Sequence, residues 1–395
     1  MAWRGPQPAQ VRSGGVRGAR KGTASDLRVP SPPMKGLILA GGSGRRLRPI
    51  THTSAKQLVP IANRPILHYV VEDLVGVGVT DLGIVVGDTA AEIRASVGDG
   101  SRWGATVTYI EQSAPLGLAH AVVEAGVFLG DDPFVMYLGD NMFEDSLEAV
   151  VDGFVEAVDG GGVSARLLLS RVDDPGSFGV ADLGDDGSIV QLVEKPENPA
   201  SDLALVGVYL FGPAIHEAVR SVEPSARGEL EITDAISWLL ERGDTVEHCL
   251  LEGWWIDTGK KDPLLECNRL VLDGLVAGVA GSVDAASVLE GAVRVEAGAE
   301  VVGSTLVGPV VVAPGARIEG SRVGPYVSAG DGCTITGATV DHAVLMESSR
   351  VVGGAHLSDS VLGRHAEVSG SGSASLLLGD HSVVELGDSA GESGV

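Results

Sequence analysis

Several residue types are scarce in this chain, and each scarcity excludes a class of protein. Aromatic residues make up only 4% of the 395 residues. The three cysteines, Cys249, Cys267 and Cys333, are odd in number and widely spaced. They exclude a disulfide scaffold and a CxxC metal site, and they fit a reducing cytosol. Apolar runs stay well short of the roughly 20 residues of a membrane span, so no membrane partner is expected.

Basic residues are also few. The chain has 28 Lys and Arg against 53 Asp and Glu, for a formal net charge of −25. A chain this acidic is a poor candidate for binding nucleic acid or an anionic membrane surface. Glycine, by contrast, is abundant at 56 residues, which indicates many tight turns or a repeat architecture. The length suggests two or three domains.

The first 33 residues differ from the rest. Their six basic residues face a single acid, Asp26, and Gly, Pro and Ser fill much of the remainder. No apolar stretch follows the charges, so the segment does not match a secretory signal. We predict a disordered basic extension over residues 1–33, with Met34 as a candidate start, and a flexible tail over residues 386–395.

Residues 34–275 alternate short apolar runs with segments of helical periodicity. The runs end in glycine or turn residues, which is typical of buried strands. Strands alternating with helices predict an α/β domain with a mixed, mostly parallel sheet covered on both faces. The predicted strands cover 35–40, 82–86, 106–110 and 134–138, and the predicted helices 66–75, 118–123 and 264–272.

After a predicted linker over 276–282, the composition changes to Val, Gly, Ala and Ser. Apolar residues recur every six positions, with Gly or Pro inside most repeats. Six residues per repeat is typical of a parallel β-helix, which we predict over 283–385. A Gly-rich β-sandwich or a disordered tail is the alternative. The repeat positions are Leu289, Val295, Val301, Val307 and Ala313; Val323, Ala329 and Ile335; Leu345, Val351 and Leu357; and Leu362 and Val368.

A glycine-rich loop follows the first predicted strand, over residues 41–47. Backbone N–H groups of such a loop can close around phosphates. No Gly-Lys-Ser/Thr ends it, so it is not a P-loop, and Leu47 replaces the third glycine of the dinucleotide fingerprint. Arg46 and Lys56 supply two cations nearby, which suits a nucleoside triphosphate. The alternative is a tight turn with solvated basic residues.

Two aspartates are candidates for a metal site. Asp140 ends a buried strand, at the edge where α/β sheets bind ligands, although Asp is also a common helix cap. Asp257 lies over 100 residues later, in Trp-Ile-Asp-Thr-Gly, where a turn is the simpler interpretation. Two carboxylates beside a triphosphate would suit Mg²⁺, which prefers oxygen ligands.

Over about residues 34–275 the chain resembles the sugar-1-phosphate nucleotidyltransferases. It looks most like their glucose-1-phosphate thymidylyltransferase branch, in the long form associated with deoxysugar pathways. Arg45 departs from the small residue common at that position, and Leu116 stands where short forms often carry Asp. The matching segments are Leu39-Ala-Gly-Gly-Ser-Gly-Arg-Arg-Leu-Arg-Pro49, Lys56-Gln-Leu-Val-Pro60, Gln112-Ser-Ala-Pro-Leu-Gly-Leu-Ala-His-Ala121, Leu138-Gly-Asp-Asn141, Val193-Glu-Lys-Pro196, Arg227-Gly-Glu-Leu-Glu-Ile-Thr-Asp234 and Trp255-Ile-Asp-Thr-Gly259.

This resemblance implies a Rossmann-like domain followed by a left-handed β-helix. It also implies Mg²⁺-dependent transfer from dTTP to glucose 1-phosphate, with release of pyrophosphate. The implied roles are catalysis by Arg46, Lys56 and Lys195; nucleotide binding by Gly41, Gly42, Gly44, Gln112 and Gly117; sugar-phosphate binding by Gly179, Glu194, Lys195, Val206 and Gly207; and metal binding by Asp140 and Asp257.

Three alternatives stay open. UTP could replace dTTP, because thymine and uracil share the edge that Gln112 would read. The chain could be a non-catalytic regulatory subunit, although Arg46, Lys56, Asp140, Lys195 and Asp257 are all present. Since many six-residue-repeat proteins are acyltransferases with a catalytic histidine, the β-helix could add that activity. Its candidates are His342, His356 and His365. We expect a cytoplasmic protein, in keeping with the cysteine content. We also expect a homo-oligomer, because apolar flat sides of the coils would associate by symmetry.

Overall fold

The computed structural model describes residues 34–42 and 44–387. The extension predicted over 1–33 and most of the tail predicted over 386–395 lie outside the described residues. Within them, an α/β domain is followed by a β-helix that begins at Gly278. The first β-helix strand, Gly278–Val279, therefore lies in the segment predicted as a linker, and the second, Ser282–Val283, begins at its last residue. None of the described helices combines the length and the apolar character needed to cross a membrane.

The elements of the α/β domain follow the predicted alternation. The strands are β1 Lys35–Leu39, β2 Pro60–Ile61, β3 Arg64–Pro65, β4 Asp81–Val86, β5 Thr106–Glu111, β6 Phe134–Leu138, β7 Asn141–Phe143, β8 Ala165–Arg171, β9 Gly179–Leu183, β10 Ile189–Glu194, β11 Leu203–Phe211, β12 Val246–Leu250 and β13 Trp255–Asp257. The α-helices are α1 Ile66–Gly76, α2 Ala90–Val97, α3 Leu118–Glu124, α4 Gly126–Leu129, α5 Glu148–Val151, α6 Phe154–Asp159, α7 Ile215–Ser221, α8 Ile232–Arg242 and α9 Lys261–Asp273. The four predicted strands are β1, β4, β5 and β6, and the three predicted helices are α1, α3 and α9.

In the described part of the chain, the central sheet is mixed and carries a hydrophobic cluster on each face. Strands β5, β4, β1 and β6 lie side by side and parallel. The long strand β11 joins antiparallel to β6 and also pairs with β8 and β9. The chain runs from β1 outward to β5 and then returns to the other side of β1 for β6. That reversal opens a crevice at the carboxyl ends of β1 and β6, where such sheets bind ligands.

Within residues 278–386, the short strands form three parallel sheets, as the repeats predict. The arrangement is a parallel β-helix, and its left hand is the one that the family resemblance implies. Sheet I contains Gly278–Val279, Val293–Val295, Val310–Val312, Val327–Ala329, Ala343–Leu345, Ser360–Leu362 and Leu377–Leu378. Sheet II contains Ser282–Val283, Glu300–Val302, Arg317–Glu319, Thr334–Thr336, Arg350–Val352, Glu367–Gly370 and Val383–Leu386. Sheet III contains Val288–Glu290, Thr305–Val307, Arg322–Val323, Thr339–Val340, His356–Leu357 and Ser373–Ala374.

The coil is shorter than a strict six-residue period requires. Val293 pairs with Val310, which lies 17 residues further on, so one side of the coil has five residues. The interior positions therefore move back by one, to Leu306 and Val312. Two of the repeat positions given above, Val307 and Ala313, therefore lie one residue beyond these interior positions. The other repeat positions face the interior, because the six-residue count begins anew at Val323, Leu345 and Leu362.

One face of the β-helix is covered by the α/β domain. The middle residue of each sheet I strand points out of the coil, because its two neighbours point in. Val344 and Val361, two of these outward residues, are 0% exposed. They pack in one hydrophobic cluster with Leu264 and Cys267 of α9. Ser328 of the same column donates a hydrogen bond to Asn268 of α9 (2.7 Å).

Candidate active site

The crevice at the carboxyl ends of the strands contains most of the predicted site residues. The glycine loop leaves β1, Gln112 follows β5, and Asp140 follows β6, so the parallel register brings all three to one edge. They surround a cavity of about 480 Å³. Its lining includes the predicted residues Gly41, Gly42, Gly44, Arg46, Lys56, Gln112, Gly117 and Asp140.

The Lys56 ammonium lies between the two predicted metal ligands. Its Nζ donates a short hydrogen bond to Asp140 Oδ2 and another to Asp257 Oδ1 (3.2 Å). Arg46 Nη2 donates to the second oxygen of Asp257 (3.1 Å). Lys56 itself is only 7% exposed. Two carboxylates and two cations therefore converge beside the glycine loop, and the burial of Lys56 excludes the interpretation of that residue as a solvated base at a turn.

Strand pairing explains how Asp257 reaches Asp140. Strand β13 pairs antiparallel with β7, and Asp257 stands opposite Asn141, the residue after Asp140. Thr258 strengthens this contact, because its backbone N–H and its hydroxyl both donate to the Asp140 carbonyl (3.1 and 2.8 Å). Gly259 follows, where a Cβ atom would lie 2.8 Å from Lys56 Nζ. Glycine at this position therefore leaves the space that the ammonium occupies.

The charges in this cluster stabilise one another. Burial alone would lower the pKa of Lys56, but the carboxylates of Asp140 and Asp257 outweigh it and raise that pKa. Burial likewise opposes ionisation of Asp257, yet the cations of Lys56 and Arg46 hold the pKa of Asp257 below its ordinary value. Lys56 and Asp257 are therefore both charged at neutral pH. A fixed ammonium attracts a polyanionic ligand, and the neighbouring carboxylates attract a cation bound to that ligand.

At the other end of the cavity, the Gln112 amide is fixed by hydrogen bonds. Its Nε2 donates to the Gly117 carbonyl (3.2 Å) and lies 3.2 Å from His120 Nδ1. The Gly117 carbonyl can only accept, so the amide nitrogen must face it. His120 Nε2 in turn lies 3.3 Å from Glu124. Gln112 Oε1 points toward the glycine loop, 3.1 Å from the place of a Cβ on Gly41.

The predicted sugar-phosphate residues form a second charged group. Lys195 Nζ and Arg227 Nη1 both lie 3.1 Å from Glu194 Oε1 at the end of β10. Arg227 also pairs with Glu229 (2.9 Å), which lines the 480 Å³ cavity and so connects the two groups. The Lys195 backbone is in the left-handed region at φ 43°, which is strained for a residue with a side chain.

The predicted pocket wall is placed unevenly. A Cβ on Gly179 would lie 3.2 Å from Glu194 Oε2, and one on Gly207 would lie 2.7 Å from Asn141 Cγ. Both glycines therefore allow a close approach to polar side chains of the site. Val206 is fully buried in a hydrophobic cluster, so any contact with a sugar would be made by its backbone.

Several residues of the site were not predicted. Gln57 is 2% exposed and lines the cavity, and its Oε1 accepts no hydrogen bond from any described residue. Trp255 donates through Nε1 to Asn141 Oδ1 (2.7 Å) and contacts Phe178 edge-on. Both rings line a cavity of about 510 Å³ that also borders Asp257. Gln57, Asn141 and Trp255 lie inside the family segments quoted above, whereas no local signal marked Phe178.

The three histidines of the acyltransferase alternative lie apart from this site. His342 Nδ1 and His356 Nε2 each lie 3.2 Å from the Asp341 carboxylate. His365 stacks on His381 instead, with ring centroids 5.0 Å apart. All these contacts are made within the β-helix. The three candidates are therefore divided between two places rather than gathered in one group.

Comparisons with known proteins agree with this geometry. The family model for nucleotidyl transferases matches residues 35–274. The chain is 57% identical over 255 residues to the glucose-1-phosphate thymidylyltransferase of Streptomyces antibioticus, covering 65% of this chain and 71% of that protein. It is 56% identical to the Streptomyces griseus protein of the same name, covering 64% and 70%. A Bacillus anthracis structure assigned as a glucose-1-phosphate thymidylyltransferase aligns with a TM-score of 0.55 at 37% identity, over 60% of this chain and 94% of that one. The chain belongs to the nucleotidyl transferase family.

Proposed function

We propose that the protein transfers a thymidylyl group from dTTP to glucose 1-phosphate, forming dTDP-glucose and pyrophosphate for deoxysugar biosynthesis. The observation that carries this proposal is the cluster beside the glycine loop, in which buried Lys56 pairs with Asp140 and Asp257, and the exposed Arg46 pairs with Asp257. Family membership supplies the reaction class. The names of the two Streptomyces relatives support the choice of substrates.

The proposed reaction is a single displacement. A phosphate oxygen of glucose 1-phosphate forms a bond to the α-phosphorus of dTTP. The bond from that phosphorus to the bridging β-oxygen breaks, and pyrophosphate leaves with the electron pair. The attacking phosphate is already ionised, so no side chain has to remove a proton. Catalysis then consists of alignment and of neutralising charge on the phosphates.

The cations take separate parts of this task. Arg46 and the glycine loop would hold the triphosphate and the leaving pyrophosphate, since both line the same cavity. Lys56 would neutralise the transferring phosphate, because its ammonium is fixed at the floor of that cavity. Lys195 would neutralise the attacking sugar phosphate, and Glu194 beside it would accept hydrogen bonds from sugar hydroxyls.

Asp140 and Asp257 are the residues that would hold a divalent metal ion, proposed to be Mg²⁺. Among the described residues, no group of three or more His, Cys, Asp and Glu side chains is arranged as a metal site. Two carboxylates nevertheless fit Mg²⁺, which takes one or two carboxylates and completes its shell with phosphate oxygens and water. Such an ion supplies positive charge at the reacting phosphate.

Gln112 is proposed to read the base. With both amide protons turned toward Gly117 and His120, the side chain offers its oxygen to the cavity. An oxygen accepts a hydrogen bond from the N3–H of thymine or uracil, whereas N3 of cytosine carries no proton. This arrangement favours dTTP and UTP over dCTP, and it leaves UTP as the second candidate nucleotide.

The experiment is pyrophosphate release by the full chain, measured over a grid of nucleotides and sugar 1-phosphates with Mg²⁺. We expect the highest kcat/KM for dTTP with glucose 1-phosphate, and the lowest for dCTP. A clear preference for UTP would replace the proposed nucleotide. Release with none of the pairs would support the regulatory alternative, which the complete set of charged residues opposes.

Two further properties, the cellular location and the oligomeric state, are also proposed. We place the protein in the cytoplasm, because Cys249, Cys267 and Cys333 are all free thiols and Cys267 and Cys333 are buried. We also retain a homo-oligomer as a proposal. Light scattering of the purified chain tests it, and a monomeric mass would contradict it.

A further inference from the structure

The loop between the glycine loop and Lys56 contacts the end of the β-helix. Thr53 Oγ1 donates to Asp380 Oδ2 (2.8 Å), and Ser54 Oγ donates to the same oxygen (3.4 Å). Arg364 Nη1 donates to Ser54 Oγ (2.9 Å). A residue pair from the last coils therefore holds two consecutive residues of the loop that leads to Lys56.

The β-helix side of this contact is itself fixed. Asp380 Oδ1 accepts the backbone N–H of Arg364 (2.8 Å), so the carboxylate bridges its own coil and the loop. The neighbouring Gly379 lies so close to the loop that a Cβ there would be 3.0 Å from the Pro49 carbonyl. Ser54 is 2% exposed. The contact is thus buried at Ser54, where a hydroxyl without its partners would lack water as a substitute, whereas Thr53 is exposed to solvent.

This contact lies close along the chain to Lys56 of the candidate active site. Ser54 and Lys56 are two residues apart, a span of at most about 7 Å. The intervening Ala55 is also held, because its backbone N–H donates to Glu92 Oε2 (3.1 Å). Lys56 then opens a short helical turn, Lys56–Leu58, whose residues are buried. The position of Ser54 therefore restricts where the Lys56 backbone, from which the ammonium reaches Asp140 and Asp257, can lie.

We propose that Asp380 and Arg364 are positioning residues for the nucleotidyl transfer site, and that the β-helix acts on the reaction through Thr53, Ser54 and Lys56. This inference rests on the proposed function in one respect: Lys56 is taken to act on the transferring phosphate. It assigns the C-terminal coils a role in placing a cation, beyond covering the apolar face of α9.

The test compares Asp380→Ala with a matched control, Asp341→Ala. Asp341 also accepts hydrogen bonds from several side chains, but His342, His356 and Ser358 all belong to the β-helix. In the full chain, Asp380→Ala should lower kcat/KM for the nucleotide about tenfold. The KM for glucose 1-phosphate should stay within about twofold, because Lys195 follows β10 and is not part of the segment that Asp380 holds. Asp341→Ala should leave both values unchanged.

A double-mutant cycle separates positioning from general stability. Thr53→Val removes the shorter of the two hydrogen bonds that the loop donates to Asp380. Thr53→Val with Asp380→Ala should therefore lose no more activity than the worse single variant. Asp380→Asn, whose amide can still bridge the Arg364 N–H and the Thr53 hydroxyl, should recover most of the rate. Should Asp380→Ala fail to fold, Thr53→Val alone must show the nucleotide-side loss.

Two results would overturn the proposal: an equal kcat/KM for Asp380→Ala and Asp341→Ala, or additive losses in the cycle. Circular dichroism at the assay temperature measures the folded fraction of each variant. A loss of rate that is fully explained by a lower folded fraction would also contradict the proposal. If the wild-type chain does not use dTTP, the substrate assignment fails on its own. The same comparison is then made with the nucleotide that it does use.

Discussion

The two domains place their charged side chains in opposite ways. In the α/β domain, Lys56 is buried between two carboxylates and lines a cavity. In the β-helix, a cation such as Arg317 pairs with Glu319 (3.1 Å) on a half-exposed face of sheet II, while the buried outer face of sheet I is apolar. Convergent buried charge therefore marks the chemistry, and an apolar outer column marks a contact between domains.

The apolar outer face of sheet I bears on which surfaces of the β-helix could join subunits in a homo-oligomer. We expected apolar flat sides of the coils to associate between subunits. The apolar side, with Val344 and Val361, packs instead on α9 of the same chain. A homo-oligomer would have to use other surfaces, such as sheets II and III, whose outward residues include Arg317, Thr339 and Glu367. Those surfaces favour polar, salt-dependent contacts.

Among the variants proposed here, Asp140→Asn should cause the largest loss of activity. A small loss would contradict the link between convergent buried charge and chemistry. It removes a proposed metal ligand and leaves the Lys56 ammonium with Asp257 alone. We expect kcat/KM to fall by about 10³-fold. The variant should still fold, with a lower thermal unfolding midpoint because buried Lys56 loses one of its two carboxylate partners. Pyrophosphate release over a Mg²⁺ titration measures it. Turnover near the wild-type rate would remove Asp140 from the site.

Val361→Asp tests the other side of the comparison. It places a carboxylate in the apolar contact between sheet I and α9, where an unpaired charge is costly. We expect the free energy of unfolding to fall by about 3 kcal/mol or more. The matched control is Val288→Asp, on the half-exposed outer surface of sheet III, which should change stability by less than about 0.5 kcal/mol. Similar losses in denaturant titrations of both variants would contradict the assigned contact.

His120→Ala sharpens the comparison within the α/β domain. It removes one of the two groups that hold the Gln112 amide nitrogen and leaves only the Gly117 carbonyl, so the amide turns more readily and presents its nitrogen to the cavity. The ratio of kcat/KM for dTTP to that for dCTP should fall about tenfold. His120→Asn keeps an acceptor near the place of Nδ1 and should retain most of the ratio. An unchanged ratio in His120→Ala would mean that another group fixes or reads the base.

Asp73→Asn asks whether a buried carboxyl outside the cavity affects stability alone. Burial raises the pKa of Asp73 to about 6, against the effect of the hydrogen bond from Tyr137 (3.0 Å). Because the folded pKa exceeds the unfolded value near 4, folding is favoured while the carboxyl is protonated, and this stability is lost as pH rises from about 4 to about 6.

The neutral amide avoids that loss and can still accept from Tyr137. Asp73→Asn should therefore raise the free energy of unfolding at pH 7.5 by about 1–3 kcal/mol, and the gain should vanish below about pH 4. Denaturant unfolding across this pH range measures it, with turnover as the control. A variant less stable than the wild type at pH 7.5, or a loss of activity, would show that the charge of Asp73 is needed.

Features with a local pattern could be predicted from the sequence, and features that depend on distant segments could not. Buried strands such as β1 and β6 carry short apolar runs, and the coils carry a repeat. The one-residue shift at Leu306 could not be predicted from a strict six-residue period. The coil that contains it has 17 residues rather than 18, and strand pairing between coils, not the repeat in the sequence, determines that number. The contact of Thr53 with Asp380 has no local signal, since neither residue is unusual among its neighbours. Similarly, the burial of Val344 against α9 follows from docking and not from periodicity.

The contact between Thr53 and Asp380 joins residues 327 positions apart. A ribosome adds about 5–20 residues per second, so roughly 16–65 s separate the synthesis of the two partners. By the end of that interval the strands and helices of the α/β domain, the last of which ends at Asp273, have all been synthesised, while the segment that leads to Lys56 still lacks its outer support. Because of this order of synthesis, the part of the cavity around Lys56 is one of the last parts of the chain to reach its final form.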